Sequence, residues 1–537
     1  MKKKAVLKVL GVLSTISVFG GVLAGCGGSA GQSSETKSAV ADSNAELNYI
    51  VTHANTQTTL ILDPAVDYSG QKSMNAGMTE ALFYVDDNTH EVTPWLAESI
   101  KQTDNTTWVI KIKDGIKFSN GKEFDAAAAK AAIEYIIKDG NNKRLRGLLK
   151  ASSIDADGLT LTVHTDGINA VVPNVLADVN MIMFDVNENS DDYNKGLTGT
   201  GPYILQKKDA EGNMVLIRNE NYWAGKPAAA AIHTKSGLDS TAQVNAMLNE
   251  EIDFVQLSGT QGADISRFEA DTGKFDIKQF DQGRLFYLYI NPDAVGTKDA
   301  KVREALQYAF DRDAIVSGVY GGRASATTSI FPKDSRFYQE NDNAVSHNAE
   351  KARNLLREAG YTDTNNDGFV DKDGVNLKLH IVNYSANGFP TLSEVLQSQL
   401  KEVGIDADLE TSGTITESLK SGNYNIGTYA YSTQTDGDAY NYLQPVFKSD
   451  GTSNFNSYSN AEVDKLLTEL TSTTDANERA QKIKDIQNAI YKDDDTHIFL
   501  CHILSYKISR KNITNMTGPF LSDNGDNSIL YKIGKTN

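Results

Sequence analysis

Oxygen-bearing side chains at short, regular spacing are the first chemistry this 537-residue chain offers. Asp363, Asn365, Asp367 and Asp371 fall at positions 1, 3, 5 and 9 of a calcium-loop pattern, with Gly368 at position 6 for the sharp turn. Position 12 is Gly374, where such a loop carries the glutamate that closes the shell with two oxygens. The same run therefore also reads as a turn-rich link between a helix ending at Gly360 and a strand from Leu377 to Val382. The eight histidines stand singly, so spacing indicates no preformed metal cage. No His-Glu-x-x-His pair, Gly-x-Ser-x-Gly elbow or Walker loop occurs. Cys501 lies among Ile498, Phe499, Leu500 and Ile503, with His497 on its own strand face and His502 on the other. Apolar surroundings make a thiol inert, so Cys501 reads as a core residue. No catalytic constellation emerges, and no cofactor is expected.

The second cysteine has a different setting. Lys2, Lys3, Lys4 and Lys8 precede an apolar run from Val9 to Gly25, and Leu23-Ala24-Gly25-Cys26 ends it. This resembles a bacterial lipobox, in which diacylglycerol is attached to Cys26 and the peptide is cut just before it. The run is short for a membrane span, which needs roughly 20 apolar residues, and small residues before the cysteine suit a signal peptidase. The expectation is a lipoprotein signal peptide over residues 1–25 and a chain anchored by lipid on the outer face of the cell membrane. Residues 26–45 are poor in large apolar side chains and read as a flexible tether. A lipidated Cys26 leaves Cys501 without a disulfide partner.

A formal charge of −18 gives a surface that repels nucleic acid, so no nucleic-acid partner is expected. With 40% hydrophobic residues the body reads as soluble, globular and large enough for two or three domains. Leu47 to Val51, Trp108 to Lys113 and Leu159 to His164 alternate at period two, predicting strands that bury one face. Asp125 is placed to cap a helix from Ala126 to Lys138; Val302, Ala305, Leu306, Ala309 and Phe310 form one apolar helical stripe. Asn348 and Gly360 bracket a third helix, Pro390 to Val403 is a fourth, and Asp475 with Glu478 resembles a capping box for a fifth. The fold class is α/β.

Six segments in order then resemble the solute-binding proteins of ABC importers for peptides and nickel. They are Pro94-Trp95-Leu96-Ala97-Glu98-Ser99 with Lys113 to Gly121; Gly199-Thr200-Gly201-Pro202-Tyr203; Arg218 to Trp223; Lys301 to Leu306 with Tyr308 to Arg312; Lys351 to Leu356; and Ala359-Gly360-Tyr361. The resemblance runs from about Leu47 to the C-terminus. It implies a bilobal Venus-flytrap of the periplasmic-binding-protein type with discontinuous lobes. Lobe I would span 46–285, with an extra subdomain at about 80–190, and lobe II 286–502, before 503–537 returns to lobe I. The chain would cross between lobes near Arg284–Asn291 and His502–Arg510. The motifs themselves read as scaffold: Tyr203 follows a tight Gly-Pro turn, Trp223 is a large anchor, and Arg303 suits a neighbouring acid.

Peptide binders of the family carry an aspartate that pairs with the ligand's amine, in a pattern like Asp-x-x-Asp-Pro. Here the run is Thr435-Asp436-Gly437-Asp438-Ala439, so Thr435 stands at the amine position, Asp436 lies one residue on, and Asp438 keeps the structural acid. The nickel branch takes a metal chelate, and Asp63 to Tyr68 resembles it; Arg144 and Arg146 are the cluster that could grip chelate carboxylates. Tyr429 and Tyr431 share one strand face just before the variant loop and could wall either ligand. The resemblance implies capture of a small peptide or peptide-like ligand by a monomer, delivery to membrane permease subunits, and no enzymatic step. A nickel-chelate binder is the alternative; a peptide-sensing adaptor and a secreted hydrolase are more remote.

Overall fold

The computed structural model describes residues 41–50, 60–66, 68–86, 91–434, 437–516 and 528–536. The leader, Cys26 and most of the tether lie outside them. The packed chain begins earlier than the tether reading placed it. Asp42 donates its N–H to the Lys535 carbonyl and Ala45 accepts from the Ala230 N–H, so residues 42–45 are tied down by backbone pairing that composition does not reveal.

Two four-stranded sheets build the N-terminal half. One runs Glu46–Ile50, Ala231–Lys235, Met214–Arg218, Tyr203–Lys208, its first pair parallel and the others antiparallel. The other is an antiparallel meander of Ala97–Asp104, Thr107–Ile112, Thr160–Thr165 and Ala151–Asp157. Trp108, Ile110, Ile112, Leu161 and Val163 all point into its core, as the alternation predicted. The helix Ala126–Ile137 packs there through Ala126, Ala129, Ala132, Ile133 and Ile136, and Asp125 accepts the Ala128 N–H at 2.9 Å as its cap.

A seven-stranded sheet organises the rest. Its order is Phe254–Ser258, His497–Arg510, Phe275–Ile290, Ile426–Ser432, Lys378–Tyr384, Asp406–Ser412, with Ala324–Ala326 also paired to His497–Arg510. Phe286, Leu288 and Ile290 enter the core on one face; Leu285, Tyr287 and Tyr289 enter the core on the other. Burial on both faces explains the unbroken apolar run Leu285-Phe-Tyr-Leu-Tyr-Ile290. Helices Ala349–Glu358 and Phe389–Glu402 cover the first face; Ala461–Leu470 and Ala476–Asp493 cover the second. Asn348 and Asp475 cap two of them through backbone N–H groups.

The two long strands pair with each other over most of their length, and their outer ends contribute Phe275, Leu504, Tyr506 and Ile508 to a core shared with Val244, Met247 and Phe268. The register shifts between Asp281 and Arg284, opposite Leu504 and Ile503. There Gly283 takes φ +70°, and a Cβ would sit 2.8 Å from the Thr433 hydroxyl oxygen. Of the segments read from sequence as crossings, Arg284–Ile290 and His502–Arg510 lie on these strands. Among the described residues no helix is long and apolar enough to cross a membrane.

Candidate functional site

Tyr429 and Tyr431 alternate on the strand Ile426–Ser432, and each is partly buried on the face that carries Tyr287 and Tyr289. Tyr429 packs against Tyr289 at 5.7 Å and Tyr431 against Tyr442 at 5.1 Å between ring centres. Burial, then the neighbouring Tyr429 and Tyr68 hydroxyls, push the Tyr431 phenol above its ordinary range. Tyr68 belongs to the opposite half of the molecule. It is 59% exposed, holds φ +61°, and lies with its ring 5.1 Å from the Arg144 guanidinium carbon. Arg144 and Tyr68 thus pack together, and the Tyr68 hydroxyl acts on the Tyr431 phenol from the other half.

The two arginines read as a cluster separate. Arg144 gives both terminal nitrogens to buried Asp178, at 2.6 and 3.1 Å. Arg146 turns outward to the exposed Asp139. They share a helix, Lys143–Leu149, but not a target. Any carboxylate fork here is Arg144's alone, and it is already committed to Asp178.

Thr435 and Asp436 lie outside the described residues; their flanks are firmly held. Thr433 donates its N–H and hydroxyl to the Gly283 carbonyl at 3.0 and 3.1 Å. Asp438 is 1% exposed, accepts the Tyr440 N–H at 2.7 Å, and receives a two-pronged bond from Arg479, whose Nη2 is 2.9 Å from Oδ1 and whose Nε bonds Oδ2.

The calcium-like run does not converge on a common centre. Asp371 is buried and accepts the Thr364 N–H and hydroxyl, Asp363 accepts the Gly368 N–H, and Asp367 accepts from Phe369, Asn365 and Asn376. Among the described residues no group of three His, Cys, Asp or Glu side chains is arranged to hold a metal ion. Cys501 is fully buried and burial pushes its thiol up, away from nucleophilic use.

Sequence reasoning passed over Glu80. This buried carboxylate collects the Trp95 indole N–H at 2.8 Å and the Tyr222 hydroxyl at 2.5 Å on one oxygen. Its other oxygen takes the Trp223 indole N–H at 3.0 Å and the Thr200 hydroxyl at 2.8 Å. Lys113 stands outside the same cage, 4.9 Å from the Trp223 ring centre and 5.7 Å from that of Trp95. Three of the segments singled out as signatures therefore converge on one acid, and Trp223 is a donor to it as well as an anchor. Tyr203 packs nearby, its ring edge against Gly77. The sequence signal was a lone charge, a glutamate, inside the otherwise uncharged stretch Met78 to Val85.

Two lobes of mixed helices and strands, joined by long paired strands, define a bilobal solute-binding protein. Residues 91–454 match the family described as bacterial extracellular solute-binding proteins, family 5 middle, and the chain belongs to that family. It is 29% identical over 432 residues to the nickel-binding protein NikA of Staphylococcus aureus, covering 78% of this chain and 82% of that one. Identity to the oligopeptide-binding protein AppA of Bacillus subtilis is 26% over 522 residues, 92% of each chain. The crystal structure of a nickel ABC transporter protein from Bacillus halodurans superposes with a TM-score of 0.76 at 27% identity, over 90% of this chain and 98% of that one. The chain is an extracytoplasmic solute-binding component of an ABC importer, and its relatives are binding proteins rather than enzymes.

Proposed function

We propose that this protein captures short peptides or peptide-like ligands between its lobes and hands them to the importer's permease without chemical change. The observation that supports this reading best is the commitment of Arg144 to Asp178, beside tyrosine walls at Tyr68, Tyr429 and Tyr431. Such walls pack against varied side chains without selecting one, and a ligand rich in carboxylates would find the arginine fork already paired. Thr435 and Asp436 complete the site in this reading, with Asp436 assigned the ligand's free amine. Lobe boundaries follow 46–285, 286–502 and 503–537, and closure is a shift of population toward the ligand-bridged state. The chain works as a lipid-anchored monomer, attached through Cys26.

A second reading is favoured by the nickel-binding relative at 29% identity: capture of nickel as a chelate, with Tyr68 and Arg144 against the chelating molecule. Native mass spectrometry of freshly purified protein separates the two. Bound masses that fragment to amino-acid residues are expected; a bound mass with the nickel isotope pattern would replace the peptide reading with the chelate one.

A further inference from the structure

A cavity that shares no residue with the tyrosine walls lies in the C-terminal half. It encloses about 270 Å³ between the start of the helix Arg312–Tyr320 and the end of the helix Ala476–Asp493. Arg312 lines one side. The pairing of the two long strands shifts between Phe286 and Tyr287, opposite Cys501 and Phe499, and Arg312 gives its Nε proton to the Phe499 carbonyl at 2.7 Å. That bond uses a single N–H of the fork. Another, from Nη1 to the Val345 carbonyl, is long at 3.4 Å. Among the described residues no carboxylate pairs with this guanidinium. Burial pushes it down to about 10, against the upward pull of Asp313.

The opposite side is acidic. Asp494 is committed to the Thr496 N–H and hydroxyl and to His497, and Asp495 to Arg303. Asp493 differs: among the described residues its carboxylate has neither a hydrogen bond nor an ion pair. It ends an 18-residue helix, where an anion is unfavourable by itself and a cation beside it is favoured. Glu304 and Lys492 are exposed charges of opposite sign on the rim. The cavity therefore holds apart two unlike charges, Arg312 and Asp493, and neither is compensated by the other. A largely buried guanidinium bonded only to carbonyls lacks a counter-charge, and a carboxylate supplies both charge and matching geometry.

We propose that this cavity binds a compact zwitterion of the amino-acid class, with its carboxylate on the Arg312 fork and its ammonium at Asp493. A molecule with one charge satisfies only one side. Pockets for drug-sized ligands run to about 300–1,000 Å³, so this smaller space suits a single amino acid and not an extended peptide. All its lining residues fall between Glu304 and Phe499, so one lobe holds the whole site. Occupancy is then independent of the cleft, and neither the peptide nor the chelate reading bears on it.

The test is methyl NMR of the intact protein titrated with L-alanine to millimolar concentration. Alanine amide, which lacks the carboxylate, and N-acetyl-alanine, which lacks the ammonium, are the controls. Val345 and Ile490 line the cavity, whereas Val66 stands shortly before Tyr68. Alanine should shift the Val345 and Ile490 methyl signals and leave Val66 in place. Each control should bind about tenfold or more weakly, the worth of one lost hydrogen bond to a charged group. Asp493→Asn, a substitution at an exposed position, should remove the preference for alanine over N-acetyl-alanine and keep that over the amide. Arg312→Gln should do the reverse; if it does not fold, the Asp493→Asn result decides. Cavity methyls indifferent to alanine, shifts confined to Val66, equal binding of the three probes, or wild-type preferences retained in Asp493→Asn would each overturn the proposal.

Discussion

Glu80 and Asp438 are both buried carboxylates, one in each half of the molecule, yet opposite means satisfy them. Asp438 receives a full guanidinium charge at contact distance. Glu80 receives only neutral donors, two indoles and two hydroxyls, and Lys113 packs on the aromatic rings of the cage. A charge paired by a charge is held by Coulomb attraction and by bidentate geometry, and it localises two elements relative to each other. A charge held by four neutral donors localises four chain segments at once, at the cost of a desolvation that none of them cancels outright. The first arrangement suits a joint that transmits position. The second suits a fixed hub, which explains why the N-terminal motifs cluster around Glu80 and away from the tyrosine walls.

The comparison is broken most forcefully on the charged side. Arg479→Met removes the cation, leaves Asp438 buried without its partner, and frees the Leu470 and Thr473 carbonyls, to which Arg479 Nη1 donates. It should cost about 3–5 kcal/mol in urea or thermal unfolding, the range for breaking one partner out of a buried pair. A loss below about 1 kcal/mol would mean that water enters and that the pair is not a joint. Glu80→Gln tests the other side. The amide keeps the shape but turns an N–H₂ toward two of the four donors, and an indole N–H cannot rotate away as a hydroxyl can. One orphaned donor predicts a loss of about 1–3 kcal/mol. A loss equal to that of Arg479→Met would mean that the two carboxylates are held with equal firmness.

The difference between the two regions also governs what could be read beforehand. Asp438 was legible because its neighbours in sequence matched a pattern, although its partner Arg479 lies 41 residues on. Strands over Trp108–Ile112 and Thr160–Thr165, and caps at Asp125, Asn348 and Asp475, were legible because their physics is local. Glu80 was not, since its four donors come from positions 95, 200, 222 and 223, and no spacing rule joins them. The packing of Tyr68 on Arg144 is non-local in the same way. Neighbouring numbers likewise misled for Arg144 and Arg146, which point to Asp178 and Asp139 from different sides of one helix.

The smallest expected effect is a pH dependence peculiar to the neutral cage. Burial raises the Glu80 carboxyl above its ordinary value of 4.5, against the lowering pull of its hydrogen bonds from Tyr222, Trp223, Thr200 and Trp95. Between 4.5 and that raised value the folded chain holds more of this proton than the unfolded chain does, so the Glu80 contribution to stability is full below 4.5 and declines as pH rises through the raised value. Unfolding of wild type and Glu80→Gln compared across this window isolates the effect, because other titrating groups are common to both. The advantage of wild type over the glutamine variant should shrink as pH rises and become constant above the window. An advantage that instead grows with pH would mean that the four donors outweigh desolvation, and that a cage of neutral groups fixes a carboxylate charge as firmly as a guanidinium does.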